Sequence, residues 1–290
     1  MNSNQLIESA LRAASEAGEA ILQIYARDFE VAYKADDSPL TEADQAAHEI
    51  IVAHLSQTPY PVLSEESSAV PYAQRAEWNC YWLIDPIDGT KEFIKKNGEF
   101  TVNIALIEQG QPILGIVLVP VKSTYYIGDQ QGAYKATIGE GFSNLEAIIT
   151  ALSSDRSVLQ RIRVSGSVED QLRVVASKSH CNEQTLEFIS QLEEDHGPAD
   201  RVSSGSSIKL CMVAEGSAHL YPRIAPTCEW DTAAAHAVVR AAGGEVFVYD
   251  PQVAAKEYVT EQVNLKKVGY NKSDILNPYF IVSGLHKYNA

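Results

Sequence analysis

The segment WLIDPIDGTKEF (Trp82–Phe93) drives an apolar run into two aspartates, Asp85 and Asp88. Two ionised carboxylates beside a buried strand lose hydration and repel each other. Either one takes up a proton or a cation sits between them. Asp-Pro and Asp-Gly are also ordinary turn formers, so taken alone the segment reads equally as a turn. A calcium loop of the EF-hand type does not fit. Ile87 stands where that loop needs an acidic or amide side chain, and no helix pair flanks it.

Further acidic residues follow similar signals. Glu65 and Glu66 end the apolar run PVLS, and Asp231 follows Trp230 ahead of TAAAHAVV. Thr41 and Asp44 make a T-x-x-D pair. Each has a simpler reading by itself: Asp44 as half of a capping box, Glu65 and Glu66 as a solvated loop, Asp231 as the acid at a helix start. Together they form an oxygen-only ligand set drawn from separate segments, which suits a hard cation such as Mg²⁺ with water and phosphate completing its shell. No His/Cys grouping at zinc spacing competes, and the histidines, 7 in all, are scattered.

These side chains need elements to hold them. Leu6, Ile7, Ala10, Leu11, Ala14, Ala17, Ile21 and Leu22 recur at helical spacing, and TEADQAAHEIIVAHLSQ reads as a second helix capped by Thr41. Tyr81 to Ile84 reads as a buried strand with Asp85 at its end. Residues 100 to 135 read as an antiparallel meander, FTVNIALI, ILGIVLV, STYYIG and GAYK. The pattern weakens from about 139 to 162, and the boundary between two lobes is placed there: 1–150 as an α+β lobe with most of the acidic residues, 151–290 as an α/β lobe with Asp231. In the second lobe RVVAS, a helix from Glu183, SSIKLCMVAEG, AHLYP, DTAAAHAVVRAA, EVFVY and YFIVSG alternate. His236 lies inside a helix where a small or amide residue is expected.

With 290 residues the chain has ample length for two lobes and a large core. Lys+Arg 23 against Asp+Glu 38 gives −15, which argues against nucleic acid or an anionic membrane surface as a general partner. An anionic ligand then requires cations at its site. Cys80, Cys181, Cys211 and Cys228 show no paired spacing and read as thiols of a reducing compartment. The N-terminus does not read as a signal peptide, and no run approaches the ~18 apolar residues of a membrane span. The expected location is the cytoplasm.

The Glu65-Glu66 pair, DPIDGT and WDTAAAHAVVRAAGG, in this order, resemble the lithium-sensitive, Mg²⁺-dependent inositol monophosphatase superfamily. SPLTEAD, PVLSEES, ASKSH, GSSIKLCMVAEG and AHLYPR…PTCEWDTAAAHAV are similar to its 3'(2'),5'-bisphosphate nucleotidase branch of the CysQ type. The resemblance spans nearly the whole chain and implies the layered αβαβα sugar-phosphatase fold with its site in the cleft between lobes. It implies two or three Mg²⁺ ions held by Glu65, Asp85, Asp88, Asp231 and the Ile87 carbonyl, with Asp44, Thr90 and Glu65 in the catalytic role. Attack is then by metal-activated water, with no covalent intermediate.

For substrate, the resemblance implies a nucleotide bisphosphate, adenosine 3',5'-bisphosphate or its sulfated analogue. Its contacts would come from Asp88, Gly89, Thr90, Ser177, Ser179, His180, Gly205, Ser206, Lys209, Arg223 and Asp231. Lys209 and Arg223 are the cations that would read a second phosphate. The alternatives are an inositol or sugar monophosphatase and an inactive nucleotide-binding relative. Loose attachment to the cytoplasmic face of the inner membrane is compatible with the same reading, and oligomeric state is left open.

Overall fold

The structure, a computed structural model, describes residues 1–33, 39–67, 70–176, 182–260 and 262–285. Helix α1 (Ser3–Tyr25) begins with a capping box, in which Asn2 and Gln5 exchange side-chain-to-backbone hydrogen bonds. The spacing of its apolar residues buries Leu6, Ala10, Leu11, Ala14, Ala17 and Ile21 along one face. Strands β1 (Val31–Tyr33) and β2 (Pro39–Thr41) pair antiparallel ahead of α2 (Glu42–Leu55), which Thr41 caps as expected.

β3 (Val62–Ser64) and, after the short helix α3 (Tyr72–Arg75), β4 (Cys80–Asp88) lie parallel. Helix α4 (Thr90–Ile94) leads into β5 (Thr101–Glu108), β6 (Gln111–Val119), β7 (Thr124–Asp129) and β8 (Gly132–Ile138), the antiparallel meander read from the sequence. β9 (Gly141–Phe142), α5 (Leu145–Ser154) and β10 (Gln160–Ile162) follow, and β9 and β10 both pair with β8. The first sheet runs β10-β8-β7-β6-β5-β4-β3, with β9 beside β8.

The second sheet is built from β11 (Arg173–Val175), then α6 (Glu183–His196), β12 (Asp200–Val202), α7 (Ile208–Ala214), β13 (Leu220–Arg223), α8 (Glu229–Ala241), β14 (Glu245–Val248), α9 (Glu257–Thr260) and β15 (Phe280–Ser283). Its order is β12-β11-β13-β15-β14, with β11 parallel to both neighbours and β15 antiparallel to both of its own.

Side-chain alternation turns these sheets into five layers. One face of the first sheet, with Trp82, Ile84, Ile104 and Ile116, packs on α1, α2 and α5. Its other face, with Tyr81, Leu83, Ala105 and Val117, packs on α7 and α8. Those helices also cover Tyr221, Val246, Phe280 and Val282 of the second sheet, whose far side packs on α6 and α9. The αβαβα arrangement implied by the resemblance is the one found.

α8 sits so close to the first sheet that glycine is required beneath it. A Cβ on Gly115 would lie 2.0 Å from the Ala234 carbonyl oxygen, and one on Gly128 2.5 Å from Val238 Cα. His236, the unexpected residue of this helix, is fully buried and satisfied at both ring nitrogens, by Tyr270 Oη at 2.9 Å and Glu245 Oε1 at 2.9 Å. Burial holds its pKa below the usual value despite Glu245.

Candidate metal and phosphate site

β4 does not stop before its aspartates; it runs through both, to Asp88. In a regular strand, residues three apart face opposite sides of the sheet. Here Asp85 pairs with Asn103 and Asp88 with Thr101, so two residues of β4 stand against one of β5 between them. This is a β-bulge, and its extra residue turns Asp88 back to the side of Asp85. Asp-Pro-Ile-Asp is thus a device for aiming two carboxylates one way, not a turn. Burial is nearly complete at Asp85, while Asp88 is half-buried.

The neighbours supply the rest. Glu65 follows the end of β3, and its N–H donates to the Ile84 carbonyl at 3.2 Å, which sets it beside Asp85. Asp231 arrives from the opposite layer on the first turn of α8, where its Oδ2 accepts the Cys228 N–H at 2.7 Å. Carboxylate oxygens of Glu65, Asp85 and Asp231 lie within 4.8 Å of one another. Burial, then the charges of Glu65, Asp88 and Asp231, hold the Asp85 carboxyl well above the ordinary range. Burial and Asp88 do the same to Asp231.

Asp85 Oδ1 accepts the Ile87 N–H at 3.0 Å, but Oδ2 is buried with no partner. A buried orphan oxygen among converging carboxylates is what a cation site requires. The set is all oxygen, which fits Mg²⁺ and disfavours zinc.

Asp44 and Thr90 are brought together as the sequence reading expects. Thr41 donates to Asp44 Oδ2 through its N–H and its hydroxyl, each at 2.7 Å. That leaves Oδ1 to accept from the Thr90 hydroxyl at 3.3 Å, with the Ile87 carbonyl also 3.3 Å from that hydroxyl. Asp44 therefore caps α2 and reaches the site with the same carboxylate.

A cavity of about 280 Å³ opens from Asp88 and Asp231 and is walled by Gly205, Ser206, Lys209 and Arg223. Lys209 is no solvated helix residue: only 8% of it is exposed, its ammonium lies 5.7 Å from the Tyr221 ring centre, and burial lowers its pKa to about 8. Arg223 Nε is buried and has no partner, while Nη2 donates to the Pro226 carbonyl at 3.0 Å. Ser177, Ser179 and His180 lie outside the described residues. The reading of the sequence missed Thr101, Asn103 and Ser207. The first two stand opposite the site aspartates on β5, and Ser207 holds the Asp231 carbonyl at 2.7 Å. Two polar residues inside the apolar run FTVNIALI were the available signal.

The fold and the carboxylate cluster agree with the comparisons: residues 2–283 match the inositol monophosphatase family, and the chain belongs to it. A relative from Salmonella typhimurium, 3'(2'),5'-bisphosphate nucleotidase CysQ, is 45% identical, covering 83% of this chain and 89% of the relative. The Escherichia coli K12 protein of the same name is 42% identical over 96% of this chain and 99% of its own length. Among solved structures, CysQ from Bacteroides thetaiotaomicron superposes with a TM-score of 0.80 at 44% identity, covering 98% of this chain and 99% of that one. The family is Mg²⁺-dependent in general. Among the described residues no helix is long and apolar enough to cross a membrane.

Proposed function

We propose that this chain is a Mg²⁺-dependent phosphatase that removes the 3'-phosphate of adenosine 3',5'-bisphosphate, releasing AMP and phosphate, and acts also on the sulfated analogue. The observation that carries this reading is the single cavity joining Asp88 and Asp231 to Lys209 and Arg223. A bisphosphate offers two anionic groups, one for the carboxylate-bound cations and one for Lys209 and Arg223. An inositol monophosphate offers one and leaves Lys209 unanswered. The names of the 42–45% identical relatives support the same substrate class.

Glu65, Asp85, Asp88, Asp231 and the Ile87 carbonyl would hold two or three Mg²⁺ ions. Bound there, the metal supplies an acidified water and neutralises charge on phosphoryl and leaving oxygens. The protein's own part is orientation and proton movement. The Thr90 hydroxyl, shared between Asp44 and the Ile87 carbonyl, aligns the attacking water and passes its proton toward Asp44 Oδ1, and Glu65 is assigned to the same catalytic group. Backbone N–H groups of Gly89 and Thr90 hold the reacting phosphate. Lys209 and Arg223 hold the second phosphate, and Ser177 and His180 are assigned to the nucleotide. In this reading residues 1–150 are the metal-bearing lobe and 151–290 the substrate lobe. The free thiols of Cys80 and Cys211 support a cytoplasmic setting.

Phosphate release compared across adenosine 3',5'-bisphosphate, inositol 1-phosphate and fructose 1,6-bisphosphate tests the proposal. The bisphosphate nucleotide is expected to have the largest kcat/KM, with inhibition by Li⁺. Asp231→Asn is expected to lower kcat by roughly a thousandfold, the scale of a lost metal-site charge. Faster turnover of inositol 1-phosphate or of the sugar bisphosphate would make the nucleotidase reading wrong, and no turnover of any substrate in saturating Mg²⁺ would make the chain an inactive relative.

A further inference from the structure

A chain of hydrogen-bonded polar side chains crosses from the first sheet to the middle helices. Asp88 Oδ2 meets the Ser206 hydroxyl at 2.7 Å, Ser206 meets Thr101 Oγ1 at 2.6 Å, and Thr101 meets Asn103 Oδ1 at 3.0 Å. Asn103 Nδ2 then meets Ser207 Oγ at 3.0 Å, and Ser207 meets the Asp231 carbonyl at 2.7 Å. Thr101, Asn103 and Ser207 are all buried. The loop that brings Ser206 here is seated tightly. Gly205 has no room for a Cβ, which would lie 2.6 Å from the Glu99 carbonyl oxygen, and Ser206 holds a left-handed φ of 52°.

Counting protons gives this chain a direction. A carbonyl cannot donate, so Ser207 gives its only proton to Asp231. Ser207 must then accept from the Asn103 amide N–H, which fixes that amide's orientation and leaves Oδ1 to accept from Thr101. With its proton committed to Asn103, Thr101 can only accept from Ser206. Ser206 therefore has one proton and two acceptors, Thr101 Oγ1 and Asp88 Oδ2. Every other hydroxyl in the chain is committed.

We infer that Thr101 and Asn103 are positioning residues that draw the Ser206 proton away from Asp88 and so keep Asp88 Oδ2 available to a divalent cation. Asn103 acts by holding Thr101 in its accepting state, and Thr101 acts by competing for the hydroxyl. A hydroxyl donated fully to Asp88 takes up a lone pair and offsets part of the carboxylate's charge, both of which a hard cation needs. The inference rests on the proposed metal role of Asp88. It does not require the substrate to be a nucleotide.

The test is a Mg²⁺ titration of the full chain by isothermal titration calorimetry, read as the Mg²⁺ concentration that half-saturates the binding heat, with no substrate present. Thr101→Val removes the competing acceptor and is expected to raise this midpoint roughly tenfold, the scale of one hydrogen bond to a charged group. Thr101→Ser keeps the acceptor and is expected to stay within about twofold of the parent. Adding Ser206→Ala to Thr101→Val removes the hydroxyl itself and is expected to bring the midpoint back to that of Ser206→Ala alone.

An unchanged midpoint in Thr101→Val, or a double variant as weak as Thr101→Val, overturns the inference, since a purely structural defect is not repaired by a second truncation. If Thr101→Val shows no folding transition, Asn103→Leu is read in its place. It frees Thr101 to donate to Ser206, and the midpoint is expected to move the same way; an unchanged value overturns the inference. Absence of nucleotidase activity in the parent chain would sink the substrate reading and leave this measurement intact.

Discussion

Lys209 shows how one residue's surroundings choose its task. An ammonium with 8% of its surface exposed, beside Arg223 and facing Asp88, Glu92 and Glu99, is held with its pKa at about 8. Its charge is thus present at neutral pH and is lost as pH rises through 8. If it reads the second phosphate, KM for the bisphosphate is expected to climb between pH 7 and pH 9 while kcat moves little. Lys209→Met is expected to raise KM at pH 7 about thirtyfold, near 2 kcal/mol, and to flatten that climb. A KM that still rises with pH in the variant would assign the titration to another group. The aspartates of β4 carry a similar lesson. Their three-residue spacing signals a paired site only because the bulge turns both to one side, and the spacing alone cannot distinguish that from a turn.

Elements were easier to read than the contacts between them. The periodicity of α1, the Thr41 cap of α2 and the four-strand meander were all legible, because each follows from local spacing. The strand at Tyr81–Ile84 was legible too, but its continuation through Asp88 was not, since Asp-Pro and Asp-Gly imitate a turn. Thr101 and Asn103 were invisible as site residues because their partners, Ser206 and Ser207, are over a hundred positions away. His236 looked misplaced because Tyr270 and Glu245, which satisfy it, come from other segments. The close seat of α8 on β6 and β7 was likewise hidden in two glycines of apolar strands. Gly115→Ala is expected to cost about 3 kcal/mol and lower Tm by on the order of 5–10 °C, since the clash is with backbone. Gly269→Ala, whose nearest contact is 3.8 Å away, is the control and is expected to change stability by less than about 1 kcal/mol. Equal losses in the two would show that the close approach is not what Gly115 serves.

At the scale of the whole molecule, an acidic chain of net charge −15 concentrates several carboxylates where two layers meet. Asp85 and Asp231 are held above the ordinary carboxylate pKa, so without metal the native state binds more protons than the unfolded chain. Stability then falls as pH rises from the unfolded carboxylate range through the raised native values. In EDTA, Tm is expected to fall between pH 5 and pH 8. Saturating Mg²⁺ is expected to remove the fall and raise Tm, by about 2.7 kcal/mol of stabilisation at a hundredfold excess over Kd. Asp85→Asn is expected to raise Tm in EDTA and blunt the pH trend. A flat profile in EDTA, or a less stable Asn variant, would mean that the cluster is not under repulsive load.

Helix α8 belongs to both halves of the protein. It packs on the first sheet through Gly115 and Gly128 and on the second through Val246 and Val282, and it carries Asp231 on its first turn. The halves are therefore not jaws on a hinge: rotating one against the other would tear a shared wall. Substrate therefore reaches the acidic floor past the rim of the cavity, where Arg223 and Gly205 stand, and substitutions at that rim are expected to alter access more than any shift of one sheet against the other.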